Sequence, residues 1–262
     1  MIRAKKSLGQ NFLIDKNILN RIVDITRIKD QIILEVGPGS GNLTSYILDR
    51  KPKKIFVVEK DNDLVSKLNE KFNDRINIIN NDILKVNEKT ISNDKITVFG
   101  NLPYNISTEI LCKWILNLDN EYFWFDSLVL MFQKEVADRI ISNFNSHHYG
   151  RLSILANWKL KIEKICDIAP SSFSPKPKID SSLLYFKPKK NFSIFKESKN
   201  LEKITRIFFN HRRKMIRKPY NEIFKGNEEI VNKLKLDLNL RPQNLDFETY
   251  YILTKEYEKL RG

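Results

Sequence analysis

The chain has 262 residues, 41% of them hydrophobic, which is enough for one large domain or for a large domain with a small one beside it. No run approaches the ~18 to 20 apolar residues of a membrane span, and the basic start MIRAKKSLGQNFL lacks the apolar segment of a secretory signal. The net charge of +14 points to a polyanionic partner, and Cys112 and Cys166, without metal-ligand spacing, suggest a reducing cytoplasmic setting rather than a disulfide scaffold or a zinc site.

From Gln31 onward, short apolar runs alternate with helical stretches. Segments 31–36, 54–59, 76–80, 95–99 and 127–132 are compact, rich in β-branched residues and apolar on both faces, as strands of a parallel sheet must be. Segments 62–72 and 107–118 between them have helical periodicity, the second with Ser107 as N-cap and Ile110, Leu111, Trp114, Ile115 and Leu118 as an apolar stripe. The alternation predicts a doubly wound α/β sheet. Further on, 151–160 is predicted helical, 161–169 a strand, 171–180 a loop and 181–188 a last strand; 187–200 is a linker or domain edge. The remainder is helical, over 201–224, 227–240 and 244–260, with Pro219 ending or kinking the first helix and Asp246 capping the last. Residues 187–262 carry 19 basic against 10 acidic residues, most of the excess charge.

The turn after the first of these strands, LEVGPGSGNLT, holds Gly37, Gly39 and Gly41, which permit a tight turn and close backbone approach to a ligand at the N-terminus of the following helix. The second strand ends in Glu59, about twenty residues on, where an acid can accept hydrogen bonds from both ribose hydroxyls of an adenosine. Asp82 follows the third strand and suits the adenine amino group. No lysine-bearing phosphate loop is present, so the expected ligand is an adenosine without a polyphosphate.

The fourth strand runs into FGNLPYNIS. Its NLPY resembles the Asn/Asp-Pro-Pro-Tyr/Phe motif of methyltransferases that act on exocyclic amines. The chemistry suits these residues. The lone pair of adenine N6 is delocalised into the ring, and acceptors aimed at its two N–H groups free it. The Asn101 side-chain oxygen and the Leu102 carbonyl can supply them, because Pro103 fixes the chain, while Tyr104 offers a face on which a base can stack. The methyl group would come from S-adenosylmethionine by in-line displacement, with no metal and no covalent enzyme intermediate.

The whole chain resembles the ribosomal RNA adenine N6,N6-dimethyltransferase family of KsgA type, through KKSLGQNFLID, EVGPGSGNLT, VVEKD, NND, FGNLPYNIS, QKEVADRI, YGRLSILA, FSPKPKIDS and FNHRRKMIRK. The resemblance implies a Rossmann-like class I methyltransferase domain of seven strands, the last antiparallel, over 1–188, and a small all-helical RNA-binding domain over 189–262. It implies methylation of N6 on two adjacent adenosines in the 3′-terminal hairpin loop of 16S rRNA, in small-subunit biogenesis, by a cytoplasmic and monomeric enzyme. It also implies cofactor contacts at Asn11 and Leu13, a place for Asn101 by the methionine end, and a target base held between Tyr104 and Phe173. The alternatives are a macrolide-resistance-type 23S rRNA methylase, or a non-catalytic RNA-binding factor of the same fold. Arg206, Arg212, Arg213, Lys214, Arg217 and Lys218 load one predicted helix, with Arg206, Arg213 and Arg217 near one face. They make it a phosphate-gripping surface or, failing that, a solvated one, in which case the N-terminal RAKKSLGQ arm is the next candidate RNA track.

Overall fold

The computed structural model of the chain describes residues 5, 9–118 and 122–261. They fall into two compact units, one within 1–113, 118–137 and 161–188, the other within 114–117, 138–160 and 189–262.

The first unit opens with β1 (Phe12–Leu13) and α1 (Lys16–Val23), which Asp15 caps through the N–H groups of Asn17 and Ile18. The sheet then begins. Strand β2 (Ile32–Val36) leads into α2 (Asn42–Asp49), β3 (Lys54–Glu59) into α3 (Asn62–Phe72), and β4 (Asn77–Asn80) into β5 (Ile96–Asn101). Helix α4 (Ser107–Leu116), β6 (Phe125–Gln133) and α5 (Lys134–Ile141) follow. All five residues of β2 are buried, which is why its sequence is a continuous run rather than an alternation.

After α6 (Arg151–Lys159) come β7 (Leu160–Ile168), β8 (Phe173–Ser174) and β9 (Ser181–Pro188). The seven-stranded sheet has the order β4-β3-β2-β5-β6-β9-β7. Neighbours from β4 to β6 are parallel, and β9 is antiparallel to β6, as the family resemblance implies. The chain builds outward from β2 through β3 to β4, then returns to β5 on the other side of β2. This reversal leaves a crevice at the carboxyl ends of β2 and β5, the place where open α/β sheets hold ligands. Leu19 and Ile22 of α1, Ile47 of α2 and Phe72 of α3 form a core cluster with Ile33, Val57 and Phe99 of the sheet.

Segment 171–180, expected to be a loop, contains β8, which pairs antiparallel with β1 through Leu13↔Phe173 and Phe12↔Ser174. Two-residue strands 160 positions apart carry no periodicity, so only tertiary contact creates them.

The second unit is helical: α7 (Ser198–Phe209), α8 (Arg217–Phe224), α9 (Glu228–Leu234) and α10 (Phe247–Lys259), with α6 packed on α7 and α10. Residues 138–160 therefore belong with it rather than with the first 188. Ile154, Leu155 and Trp158 are buried, Trp158 lies 4.9 Å from Phe195, and the Tyr251 hydroxyl donates to the Ile154 carbonyl. Helix α10 is capped by Asp246, as expected.

The single helix expected over 201–224 is two helices. Helix α7 ends at Phe209 rather than at Pro219, because the run His211–Lys214 has no apolar residue to continue its buried stripe. The N–H groups of Ile216 and Arg217 then pair with the carbonyls of Leu240 and Leu238, which holds the chain out of helical register. Pro219 lies in the first turn of α8, where its missing N–H costs nothing. The helix expected over 227–240 stops at Leu234, where Lys235 takes the left-handed conformation, φ +47°.

Candidate active site

A cavity of about 220 Å³ opens at the crevice between β2 and β5. Gly37 and Gly39 of the glycine turn line it, while Gly41, which starts the following helix, faces Phe72 and Leu68 instead. Gly37, Gly39 and Gly41 have φ of +66°, +56° and +73°, values that β-carbons disfavour, so the turn is open only to glycine. Space gives a second reason at two of them. A Cβ on Gly39 would stand 2.7 Å from Phe12 Cδ1, and one on Gly41 2.5 Å from Phe72 Cε2. The Gly37 N–H is held by the Val58 carbonyl at 3.0 Å, which brings the turn beside the end of β3.

Glu59 ends β3 and lines the cavity. Its Oε1 accepts from the N–H groups of Lys60 and Asp61, both at 2.9 Å, and its Oε2 from Gly39 N–H at 3.3 Å. Burial raises its pKa, and these three backbone donors oppose the rise. A carboxylate has about four acceptor positions, so one is left. The two-hydroxyl ribose grip expected from sequence is met only if the ribose displaces the long Gly39 bond. Asp82 also lines the cavity. Its Oδ2 pairs with Lys60 Nζ at 2.8 Å and its Oδ1 accepts from Leu84 N–H at 3.0 Å; the Lys60 contact first, then the backbone bond, lower its pKa.

Sequence reasoning passed over Glu35. It is 2% exposed, lines the cavity from β2, and accepts the Thr44 hydroxyl at 2.6 Å. Burial pushes its pKa up to about 7; the Thr44 bond opposes this, the Glu59 charge adds to it, and Lys71 opposes it. The signal was there to be read: an acid inside an apolar strand, two residues before a glycine turn.

Asn101 is the last residue of β5, and its Nδ2 donates to the Asn11 carbonyl at 2.7 Å. Leu102 is 1% exposed; its side chain covers Gly100, where a Cβ would stand 2.8 Å from Leu102 Cδ2. Pro103 accepts the Ile106 N–H at 3.1 Å and so closes the turn. The Tyr104 hydroxyl is hydrogen-bonded to Ser181 Oγ at 2.5 Å, and burial raises its pKa. All four residues line the cavity, as do Asn11 and Leu13.

Phe173 does not. It was expected to face Tyr104 across the target base. Instead it is 3% exposed and packs in the core cluster with Leu13, Ile168 and Leu183, because β8 pairs with β1 and turns its ring inward. The expected basic surface is also revised. Arg206 lies on α7, Arg212, Arg213 and Lys214 on the turn after it, and Arg217 and Lys218 at the start of α8. Arg212 is a structural clamp: its guanidinium donates to Gln243 Oε1 at 3.2 Å and to the carbonyls of Ser146 and His147. Arg213, Lys214, Arg217 and Lys218 instead line a groove of the second unit together with His211 and Arg241, and no acid is among its lining residues. Of the RAKKSLGQ arm, Arg3, Ala4 and Lys6–Leu8 lie outside the described residues. Among the described residues no cluster of side chains suits a metal ion, and no helix is long and apolar enough to cross a membrane.

The donor set fits S-adenosylmethionine. The turn leaves Gly37 bare beside Asn101, where a Cβ would approach the Asn101 carbonyl at 3.8 Å. Three acids, Glu35, Glu59 and Asp82, line the cavity, and Lys60 is already paired with one of them. That balance suits a sulfonium cation and disfavours a polyphosphate. When bound, the cofactor supplies a methyl group activated by the positive sulfur. The glycine turn, the acids at the ends of β3 and β4, and a cavity at the reversal of strand order define a Rossmann-like methyltransferase dependent on S-adenosylmethionine.

Comparison with known proteins narrows this. The family model described as ribosomal RNA adenine dimethylase matches residues 1–259. The chain is 66% identical over 261 residues to the ribosomal RNA small subunit methyltransferase A of Pelagibacter ubique (strain HTCC1062), covering 100% of this chain and 99% of that protein. It is 42% identical to the protein of the same name from Prochlorococcus marinus (strain AS9601), covering 98% and 97%. The crystal structure of a dimethyladenosine transferase from Plasmodium falciparum superposes with a TM-score of 0.77 at 26% identity, covering 95% of this chain and 98% of that one. The chain belongs to the ribosomal RNA adenine dimethylase family.

Proposed function

We propose that this enzyme transfers methyl groups to N6 of two adjacent adenosines in the 3′-terminal hairpin loop of 16S rRNA, on the small ribosomal subunit or its precursor. The observation that carries the reading is that Asn101, the Leu102–Pro103 turn and Tyr104 share one cavity with the glycine turn, Glu59 and Asp82. Asn101 and the Leu102 carbonyl accept the two N–H protons of the target amine, which localises the lone pair, and Tyr104 stacks on the base. Position and electrostatics do the work, with no covalent enzyme intermediate.

Asn11, Leu13, Gly37, Gly39, Glu59 and Asp82 hold the cofactor in this reading, and Gly41 shapes the turn from behind, packed on Phe72. The groove of the second unit, with its Arg213, Lys214, Arg217 and Lys218, grips RNA phosphates, and the exposed Arg206 adds to the positive surface of that unit. The first unit supplies the chemistry and the second, built chiefly from residues 138–160 and 189–262, the helical RNA-binding part, with the protein acting as a cytoplasmic monomer. The names of the relatives support the small subunit as target. Primer extension on 16S rRNA tests the reading, since dimethyladenine blocks normal pairing. A host lacking its own dimethylase should regain two adjacent stops near the 3′ end when it expresses this chain. Stops in 23S rRNA instead would overturn the assignment.

A further inference from the structure

The N-terminal segment Gly9–Leu13 lines the cavity as a strap, and it is tied at several points. Gln10 Nε2 donates to Asp61 Oδ2 at 3.0 Å, and Lys5 Nζ pairs with Asp61 at 2.6 Å and Asp63 at 2.8 Å. Leu13 pairs with Phe173, and its carbonyl accepts Asn42 Nδ2 at 2.8 Å. The remaining tie is to the reacting group itself, Asn101 Nδ2 on the Asn11 carbonyl at 2.7 Å.

A main-chain carbonyl can only accept. The Asn101 amide therefore has one permitted orientation against the strap: its NH₂ faces Asn11 and its Oδ1 faces the other way. Among the described residues Oδ1 is not engaged by a protein donor, so it is left to meet the N–H of an incoming amine. An ionised aspartate at 101 would set a carboxylate oxygen against a carbonyl oxygen at the same place and push the strap off.

We infer that the N-terminal strap is a positioning element for Asn101: the Asn11 carbonyl fixes the side-chain amide so that Oδ1 serves the target amine, and position 101 takes an amide rather than a carboxylate for that reason. The inference rests on Asn101 acting on the amine, as proposed above.

Hydrogen exchange on the cofactor-free protein reads the strap directly, and single-turnover methyl transfer at saturating S-adenosylmethionine reads the amide. In Asn101→Asp, peptides covering 9–14 should exchange about tenfold faster than in the wild type at about pH 8, the factor one hydrogen bond of ordinary net strength supplies. The difference should shrink toward about pH 5, where a protonated acid can donate its O–H to the Asn11 carbonyl and restore the asparagine geometry. Turnover of this variant should rise over the same interval, relative to wild type. In Asn101→Ala, exchange should be fast at both pH values. Equal protection in wild type and Asn101→Asp at about pH 8 would overturn the inference. If Asn101→Asp does not fold, Lys5→Ala/Gln10→Ala loosens the strap from its other end with Asn101 intact. Its transfer rate at saturating cofactor should fall; an unchanged rate, with only cofactor affinity lost, would overturn the inference as well. A wild-type rate in Asn101→Ala would instead refute the role of Asn101 in the proposed function, while faster strap exchange in that variant would still show the link between the two.

Discussion

Replacing Glu35 by Gln should stabilise the cofactor-free protein, and more so as the pH rises. Glu35 is buried beside the glycine turn, with Thr44 as its hydrogen-bond donor and Glu59 and Lys71 as the charges that act on it. Its pKa rises from the ordinary 4.5 to about 7, chiefly through burial. A carboxyl whose folded value lies above its unfolded one leaves stability intact below the unfolded value and removes it as pH rises through the folded value. The affected window therefore runs from about pH 4.5 to about pH 7. At ~1.4 kcal/mol per pH unit, the loss across it is about 3 kcal/mol. Glutamine keeps an oxygen for the Thr44 hydroxyl and carries no charge, so it escapes this loss. Urea unfolding of both proteins at about pH 4.5, 6 and 8 gives the difference in stability, in which titrations common to the two cancel. The gap in favour of Glu35→Gln should widen by about 3 kcal/mol between the extremes. A gap constant with pH would mean that Glu35 ionises as it does in the unfolded chain, and that burial beside the turn carries no such cost.

Glu59→Gln should weaken S-adenosylmethionine binding by ~10- to ~100-fold in a calorimetric titration, the worth of a hydrogen bond to a charged acceptor; glutamine is the better probe than alanine, which would strand the N–H groups of Lys60 and Asp61 as well. Gly41→Ala should lower stability by roughly 2 to 3 kcal/mol in a urea titration, because the residue sits at φ +73° and its Cβ would stand 2.5 Å from Phe72. Arg213→Ala/Arg217→Ala should flatten the log–log salt dependence of rRNA binding by roughly 1.5, at about 0.7 to 0.9 per phosphate, and leave cofactor affinity unchanged. Filter binding across a salt series checks this, and an unchanged slope would make the groove a solvated surface.

The inner strands of the parallel sheet were legible in the sequence because each is a short apolar run buried on both faces, whereas the edge strand β4 is only half-buried and was marked by its isoleucines alone. The glycine turn, Glu59, Asp82 and the NLPY turn were legible for a related reason: their chemistry is local, written in a few consecutive residues at strand ends. What the sequence could not show depends on partners distant in the chain. The β1–β8 pair joins residues about 160 positions apart and buries Phe173, which the family resemblance had placed against the target base. Helix α6 joined the second unit because its apolar face met α7 and α10, a choice its own periodicity does not contain. The basic run 211–218 looked like one helix until the carbonyls of Leu238 and Leu240 claimed the N–H groups of Ile216 and Arg217, and Arg212 turned out to clamp a loop. The orientation of Asn101 is the clearest case. Its residue type implies an acceptor for an amine, but only the carbonyl of Asn11, ninety residues earlier, decides which end of the amide faces the cavity.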